Sequence, residues 1–332
     1  MLLPSKNFKE GLRLQNISKP SRPSARGIQW RAAGHDISRD WMLYLMLALP
    51  LIFYAVFCYA PMYGIVLAFK DYNIMQGIAG SKWVGLKIFQ QIFALPQFSQ
   101  ALRNTLALNV LDLAVGFPAP IILAIIINEV RANWFKRVTQ TVVYLPYFLS
   151  WIVTSGMIYQ LFSTNTGIIN NFLMDAFNVQ KPIPFLTDKA LWIMVYVVTG
   201  IWKSAGFGTI VYLAAITAIS PELYEAAEAD GATRLQKIWH ITLPGIKSTI
   251  IILLILNIGS IMTISFDRPL VVGNDSVLEV SSVISVFTYR IGLQAGRFNT
   301  ATAVGLFQSV VGMIFLVSAN FIAGRMGEEK IW

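Results

Sequence analysis

The chain has 332 residues, of which 55% are hydrophobic and 13% charged, with a mean hydropathy of +0.59. Soluble domains carry a charged fraction of about 25%, so the composition excludes an ordinary soluble fold. The formal net charge is +9, but the basic residues are not interleaved with surface aromatics, which argues against nucleic acid as a partner.

Residues 1–40 hold eight Lys/Arg and three Asp/Glu and are read as a basic cytoplasmic segment facing anionic lipid. No short apolar segment with a small-residue cleavage site precedes Trp41, so the first membrane helix is expected to be retained. A helix needs about 20 mainly apolar residues to cross the hydrocarbon layer. Six stretches qualify: 41–69, 104–127, 138–162, 190–216, 248–266 and 300–323. The first contains Pro50 and Pro61, and the second is interrupted by Asp112 and by Gly116–Pro120. Cys58, the single cysteine, lies inside the first apolar run, and the only histidines are His35 and His240. These counts rule out a disulfide framework and a cysteine-based metal site. The fold class expected is an all-α integral membrane protein with six transmembrane helices over 41–323 and a short tail, 324–332.

With the N-terminus inside, the cytoplasmic segments carry 16 Lys/Arg and the outer segments 9. The excess places both termini in the cytoplasm. Between the first and second spans, Trp83, Val84, Leu86, Ile88 and Phe89 allow two readings, an amphipathic segment at the outer surface or a solvated loop.

The inside loop 217–245 carries the strongest local signal. Ser220 suits an N-cap, Pro221 the first helical turn, and Glu222 and Glu225 the helix N-terminus. Ala226 and Ala227 permit close approach of another surface, and Gly231 can stop the helix in a left-handed conformation. A second short helix follows, with Leu235, Ile238, Trp239 and Thr242 on one face, and Pro244 marks its junction with the fifth span. The acids are spaced along a helix and do not converge on histidines. The loop reads as a docking element.

Glu225-Ala226-Ala227, Asp230-Gly231-Ala232 and Ile241-Thr242-Leu243-Pro244 stand at the spacing of the Glu-Ala-Ala loop. The chain therefore resembles the permease subunits of binding-protein-dependent ATP-binding-cassette importers. Ile238 stands where that pattern often has Phe, and Ser248 where it often has Pro. Asn104-Thr105-Leu106, at the start of the second span, resembles the family's entry to its helical core, and Asn128-Glu129-Val130-Arg131 and the run Tyr144 to Trp151 are similar to the carbohydrate and oligosaccharide branch. So are Trp202-Lys203, Gly206-Phe207 and Tyr212 to Ala215.

The resemblance implies a type I importer permease fold in the bacterial cytoplasmic (inner) membrane. It implies a second permease subunit, a heterodimer being the expectation, with two cytoplasmic ATPase subunits and an extracytoplasmic solute-binding protein that delivers a saccharide. Glu225, Ala226, Ala227, Asp230, Gly231, Leu243 and Pro244 are then the ATPase-coupling residues. No Gly-Lys dipeptide occurs, so no phosphate-binding loop is present. The chain itself is expected to be no enzyme and to bind no cofactor, with ATP and Mg held by the partner ATPases.

Polar groups inside spans are substrate-pathway candidates. Lys203 could attract an anionic sugar, or could be bonded to carbonyls or snorkelling. Asn257 could bind sugar hydroxyls or join helices. Tyr196 and Trp202 could stack on sugar rings or serve packing. Asp112 reads as a helix-packing residue rather than a proton relay. Alternative functions are an ion-coupled secondary transporter, which would be expected to show paired intramembrane acids or repeats, and an importer permease for a non-sugar solute.

Overall fold

The computed structural model describes residues 40–325; the basic segment 1–39 and residues 326–332 of the tail lie outside the described residues. The described residues form two units, divided between Tyr63 and Gly64. In the first, the helix Trp41–Phe53 continues into a π-helical turn, Tyr54–Tyr59. No residue of either element is buried, and Cys58 is exposed. An apolar helix with no buried face has lipid or protein as its surroundings.

Among the described residues, four continuous helical stretches are long and apolar enough to cross a membrane: Trp41–Phe69, Pro96–Glu129, Lys189–Thr217 and Phe298–Arg325. Three further pairs meet at sharp bends, of 101°, 59° and 112°. Two of these, within 133–162 and 234–259, cover the third expected span and the first part of the fifth, so a count of six is compatible with the structure. The third expected span nevertheless does not run straight from 138 to 162. Leu145–Phe148 tightens into a 3₁₀ turn, and Ser150 takes an extended conformation at the break. Its hydroxyl caps the new helix Trp151–Phe162 by accepting from the Val153 N–H at 3.2 Å, and Pro146 cannot donate a helical hydrogen bond. The fifth helix, Lys247–Gly259, also ends short of the expected residue 266.

The second span is continuous but irregular for a related reason. Pro118 and Pro120 lack N–H donors, and the turn before them widens to a π-helix, Asp112–Gly116, in which the Phe117 N–H bonds to the Asp112 carbonyl at 3.1 Å. The fourth span starts cleanly because the Asp188 side chain accepts from Ala190 and Leu191 N–H, both at 3.0 Å. The helix 133–144 approaches this span closely at Gly206, where a side chain would run into the Val143 carbonyl.

Between the first two spans, Lys70–Asp71 pairs antiparallel with Lys82–Trp83, and the helix Lys87–Phe93 follows with Ile88 and Ile92 buried. This segment is helical from Lys87, and Trp83 lies in the hairpin. Three larger clusters form the interior of the second unit. One gathers Trp192 and Tyr196 with Val272, Val277 and Val283. Another holds Phe98, Met262 and Ile284, and the third holds Ile127, Tyr212, Ile216 and Ile246.

Polar stitches fasten the second span to the broken segment 275–294. The Asn104 amide donates to the carbonyls of Glu279 at 2.8 Å and Ser282 at 2.9 Å. The Thr105 hydroxyl donates to the Ala101 carbonyl at 2.7 Å and accepts from the Ile284 N–H at 2.9 Å. Backbone groups buried at a chain break need such partners.

Candidate functional site

Two regions stand out, one in the loop 217–245 and one between the spans. The first begins with the helix Pro221–Ala229, none of whose residues is buried. Ser220 occupies the N-cap position, but its hydroxyl makes no capping hydrogen bond. Gly231, at φ +74°, ends the helix. The Ala232 N–H bonds to the Ala227 carbonyl at 2.8 Å and the Gly231 N–H to the Glu228 carbonyl at 3.0 Å, the paired closure of a Schellman turn. Thr233 and Gln236 then form a capping box that starts the next helix, Arg234–Lys237.

The second helix departs from a regular face. Leu235 and Trp239 are exposed while Thr242 is buried, because Ile238–Thr242 forms a π-helical turn that shifts the helical phase. Thr242 instead meets the first helix, its hydroxyl 3.0 Å from the Tyr224 hydroxyl. Lys237 adds an ion pair to Glu228 at 2.5 Å, and its hydrogen bond and charge hold the Glu228 carboxyl below the usual carboxylate range. The product is a helix–turn–helix element tied to itself by Tyr224–Thr242 and Glu228–Lys237. Glu225, Ala226, Asp230 and Gly231 are exposed and Ala227 half-buried, while Leu223, Leu235 and Trp239 add exposed apolar surface. Leu243 and Pro244 open the short helix Leu243–Gly245 that leads to the fifth helix. Such a surface is fit for docking a protein.

The second region is a cavity of about 450 Å³ between the second, fourth and fifth spans. Its polar lining comes from Asn109, Asp112, Ser204, Asn257, Ser260 and Arg268. Of the four pathway candidates, Asn257 lines this cavity. Its amide N–H bonds back to the Leu253 carbonyl at 2.7 Å. Lys203 does not line it: its ammonium donates to the Tyr147 carbonyl at 2.8 Å, the carbonyl-bonded arrangement. Trp202 lines a separate, mostly apolar cavity with Ile122, Ile126 and Val142. Tyr196 is fully buried, its ring against Trp192 at 5.0 Å between centroids.

The motifs around Tyr147 and Lys203 prove to be one assembly. Phe207 stacks on Tyr147 with centroids 4.0 Å apart, and the Lys203 ammonium lies 5.4 Å from the Trp151 ring. Arg268 went unrecognised in the sequence because it stands just past the end of an apolar run, after Asp267, and counts there as an outer-loop cation. In the structure its guanidinium pairs with the Asp112 carboxylate at 2.7 Å, donates to the Tyr196 carbonyl and covers the Tyr196 ring at 3.5 Å. The only hint in the sequence was an intramembrane aspartate without an evident partner. Among the described residues, no group of three or more His, Cys, Asp or Glu side chains is arranged to hold a metal ion.

Comparison with known proteins agrees with this architecture. Residues 116–328 match the family of binding-protein-dependent transport system inner membrane components. The chain is 44% identical over 290 residues to the polygalacturonan/rhamnogalacturonan transport system permease protein YteP of Bacillus subtilis (strain 168), covering 87% of this chain and 90% of that protein. It is 42% identical to protein LplB of the same organism, covering 94% and 97%. A crystal structure of a bacterial ABC transporter involved in the import of the acidic polysaccharide alginate contains a chain 40% identical to this one, with a TM-score of 0.81 over 89% of this chain and 99% of that one. A second structure of a bacterial alginate ABC transporter, in complex with an alginate pentasaccharide-bound periplasmic protein, matches equally well, with a TM-score of 0.81. The fold is therefore that of a type I importer permease, and the chain belongs to the family of binding-protein-dependent transport system inner membrane components.

Proposed function

We propose that this chain is the transmembrane permease subunit of an ATP-driven importer that takes up an acidic oligosaccharide delivered by an extracytoplasmic binding protein. The observation that carries the importer reading is the exposed helix Pro221–Ala229 closed by Gly231, a rigid and self-braced element with nothing catalytic in it. Two cytoplasmic ATPases, which would hold ATP and Mg, would each receive one such loop, the second from a partner permease in a heterodimer. Closure of the ATPases would move the loops and turn the cavity from inward-facing to outward-facing. The membrane would be the bacterial inner membrane with both termini in the cytoplasm, as the 16 to 9 distribution of basic residues favours.

The substrate class rests on the relatives. One is a permease for polygalacturonan and rhamnogalacturonan and another belongs to an alginate importer, and alginate and polygalacturonan are polymers of uronic acids. An ion-coupled carrier and a permease for a non-sugar solute are not favoured by these likenesses. The test is the ATPase activity of the reconstituted complex, stimulated by its binding protein loaded with neutral or uronate oligosaccharides. Stimulation by a uronate oligosaccharide is expected. Stimulation by no saccharide overturns the substrate class.

A further inference from the structure

We propose that Arg268 reads the carboxylate of a uronate residue passing through the cavity, and that Asp112 holds the guanidinium between passages. This inference rests on the acidic-oligosaccharide reading above.

The guanidinium is built into place. It is held by Asp112, by the Tyr196 carbonyl and by the Tyr196 ring, and Trp151 lies 5.4 Å away on another helix. Gly200 leaves the space it occupies, since a side chain there would collide with the guanidinium. Its donors are nevertheless not all spent: Nε is buried with no hydrogen-bond partner. Most buried polar groups are hydrogen-bonded, so an unpartnered donor asks for an explanation; the Tyr196 hydroxyl beside it is likewise without a hydrogen-bond partner. The side chain of Asp112 is 29% exposed against 11% for Arg268, so the carboxylate is the more accessible member, and it stands on the π-helical turn Asp112–Gly116. Irregular turns of this kind occur at functional sites.

Charge gives the direction of selectivity. Lys203 and Arg268 lie 5.4 Å from the same Trp151 ring, and Lys203 has only carbonyl partners, at Tyr147 and Pro146. With Asp112 the cluster holds two cations and one carboxylate, a net charge of +1. A uronate carboxylate brings that sum to zero, in a low-dielectric setting where uncompensated charge is costly. A neutral sugar leaves it unchanged. The planar fork of Arg268 suits a carboxylate, whereas the Lys203 ammonium already donates to backbone.

The test measures equilibrium binding to the detergent-solubilised permease complex without the binding protein, so that delivery does not set the preference. The probes are a uronate trisaccharide and its carboxyl-reduced, neutral counterpart. Wild type is expected to prefer the uronate, and Arg268→Gln to reduce the ratio of the two affinities about tenfold, as loss of a charged hydrogen bond does. Asp112→Asn, which removes the competing carboxylate, is expected to raise that ratio. Arg268→Lys keeps the charge without the fork and serves if the glutamine variant does not fold; an intermediate ratio is expected. If the ratio stays constant in all variants while both affinities change together, the pair only joins helices and the proposal is overturned. Wild type that binds the neutral sugar as well as the uronate also overturns it and leaves the saccharide reading standing. Binding of neither sugar, with no saccharide-stimulated ATPase, overturns both.

Discussion

Gly200 lies directly beneath the guanidinium of Arg268, in space that a β-carbon at that position would have to share with it. The arginine cannot simply move aside, because Asp112 and the Tyr196 carbonyl hold it. Gly200→Ala is expected to destabilise the protein by about 1–3 kcal/mol, the usual cost of overpacking. Gly305, within the last helix, is the control: nothing lies within 4 Å of a β-carbon built there, and Gly305→Ala gains the helix preference of alanine, about 0.5–1 kcal/mol. Thermal unfolding of the two variants in detergent should therefore move in opposite directions. Equal behaviour would mean that the Arg268 pocket is slack.

A second prediction concerns Thr105, whose buried hydroxyl joins two distant segments by accepting from the Ile284 N–H while donating to the Ala101 carbonyl. Thr105→Val keeps the shape and leaves that N–H without an acceptor, at a cost of about 1–3 kcal/mol. Thr105→Ser restores the acceptor and should recover most of the loss. Amide exchange at Ile284 reports the site directly: it should accelerate in the valine variant and return toward wild type in the serine variant.

The two regions differ in how far the sequence discloses them. The helix Pro221–Ala229 is a local structure whose start needs a proline at N1 and whose end needs a glycine at positive φ, and both are visible within a dozen residues. Its partner helix is less legible, since the π turn at Ile238–Thr242 rotates Thr242 inward to Tyr224 and no short-range pattern announces that shift. The break after Pro146 has a visible proline but no visible angle. Lys203 attracts notice as a charge in mid-span, yet its role depends on the carbonyl of Tyr147, 56 positions away. Arg268 is the extreme case. Its burial requires Asp112, 156 positions earlier, together with Gly200 and Tyr196, and only tertiary structure brings these together.

The Glu228–Lys237 pair makes a prediction in pH. The Glu228 carboxyl is held below its ordinary value, first by the hydrogen bond from Lys237 and then by its charge. A depressed carboxylate pKa means that the pair is complete at neutral pH and is lost as pH falls through the depressed value. Carbon-13 shifts of the Glu228 side chain should thus titrate below the ordinary range, and in Lys237→Met they should return toward about 4.3. An unchanged titration in that variant would show that Lys237 is not the cause.

The last prediction tests coupling. At φ +74°, Gly231 adopts a conformation that proline, fixed near −65°, cannot reach. Proline also removes the N–H that bonds to the Glu228 carbonyl. Gly231→Pro should therefore open the turn and misdirect the exposed face of Glu225 and Ala226. It leaves the interior clusters untouched, since Gly231 is exposed and nothing lies within 4 Å of a β-carbon there. The variant is expected to insert and to unfold at the wild-type temperature, while saccharide uptake is lost and the ATPase no longer answers to the loaded binding protein. Gly231→Ala costs about 1–2 kcal/mol in the left-handed region but keeps the N–H, so a partial loss of coupling should follow. Normal uptake by the proline variant would remove the turn from the coupling pathway, and unfolding of the whole subunit would show that the loop supports the spans rather than acting as an independent docking element.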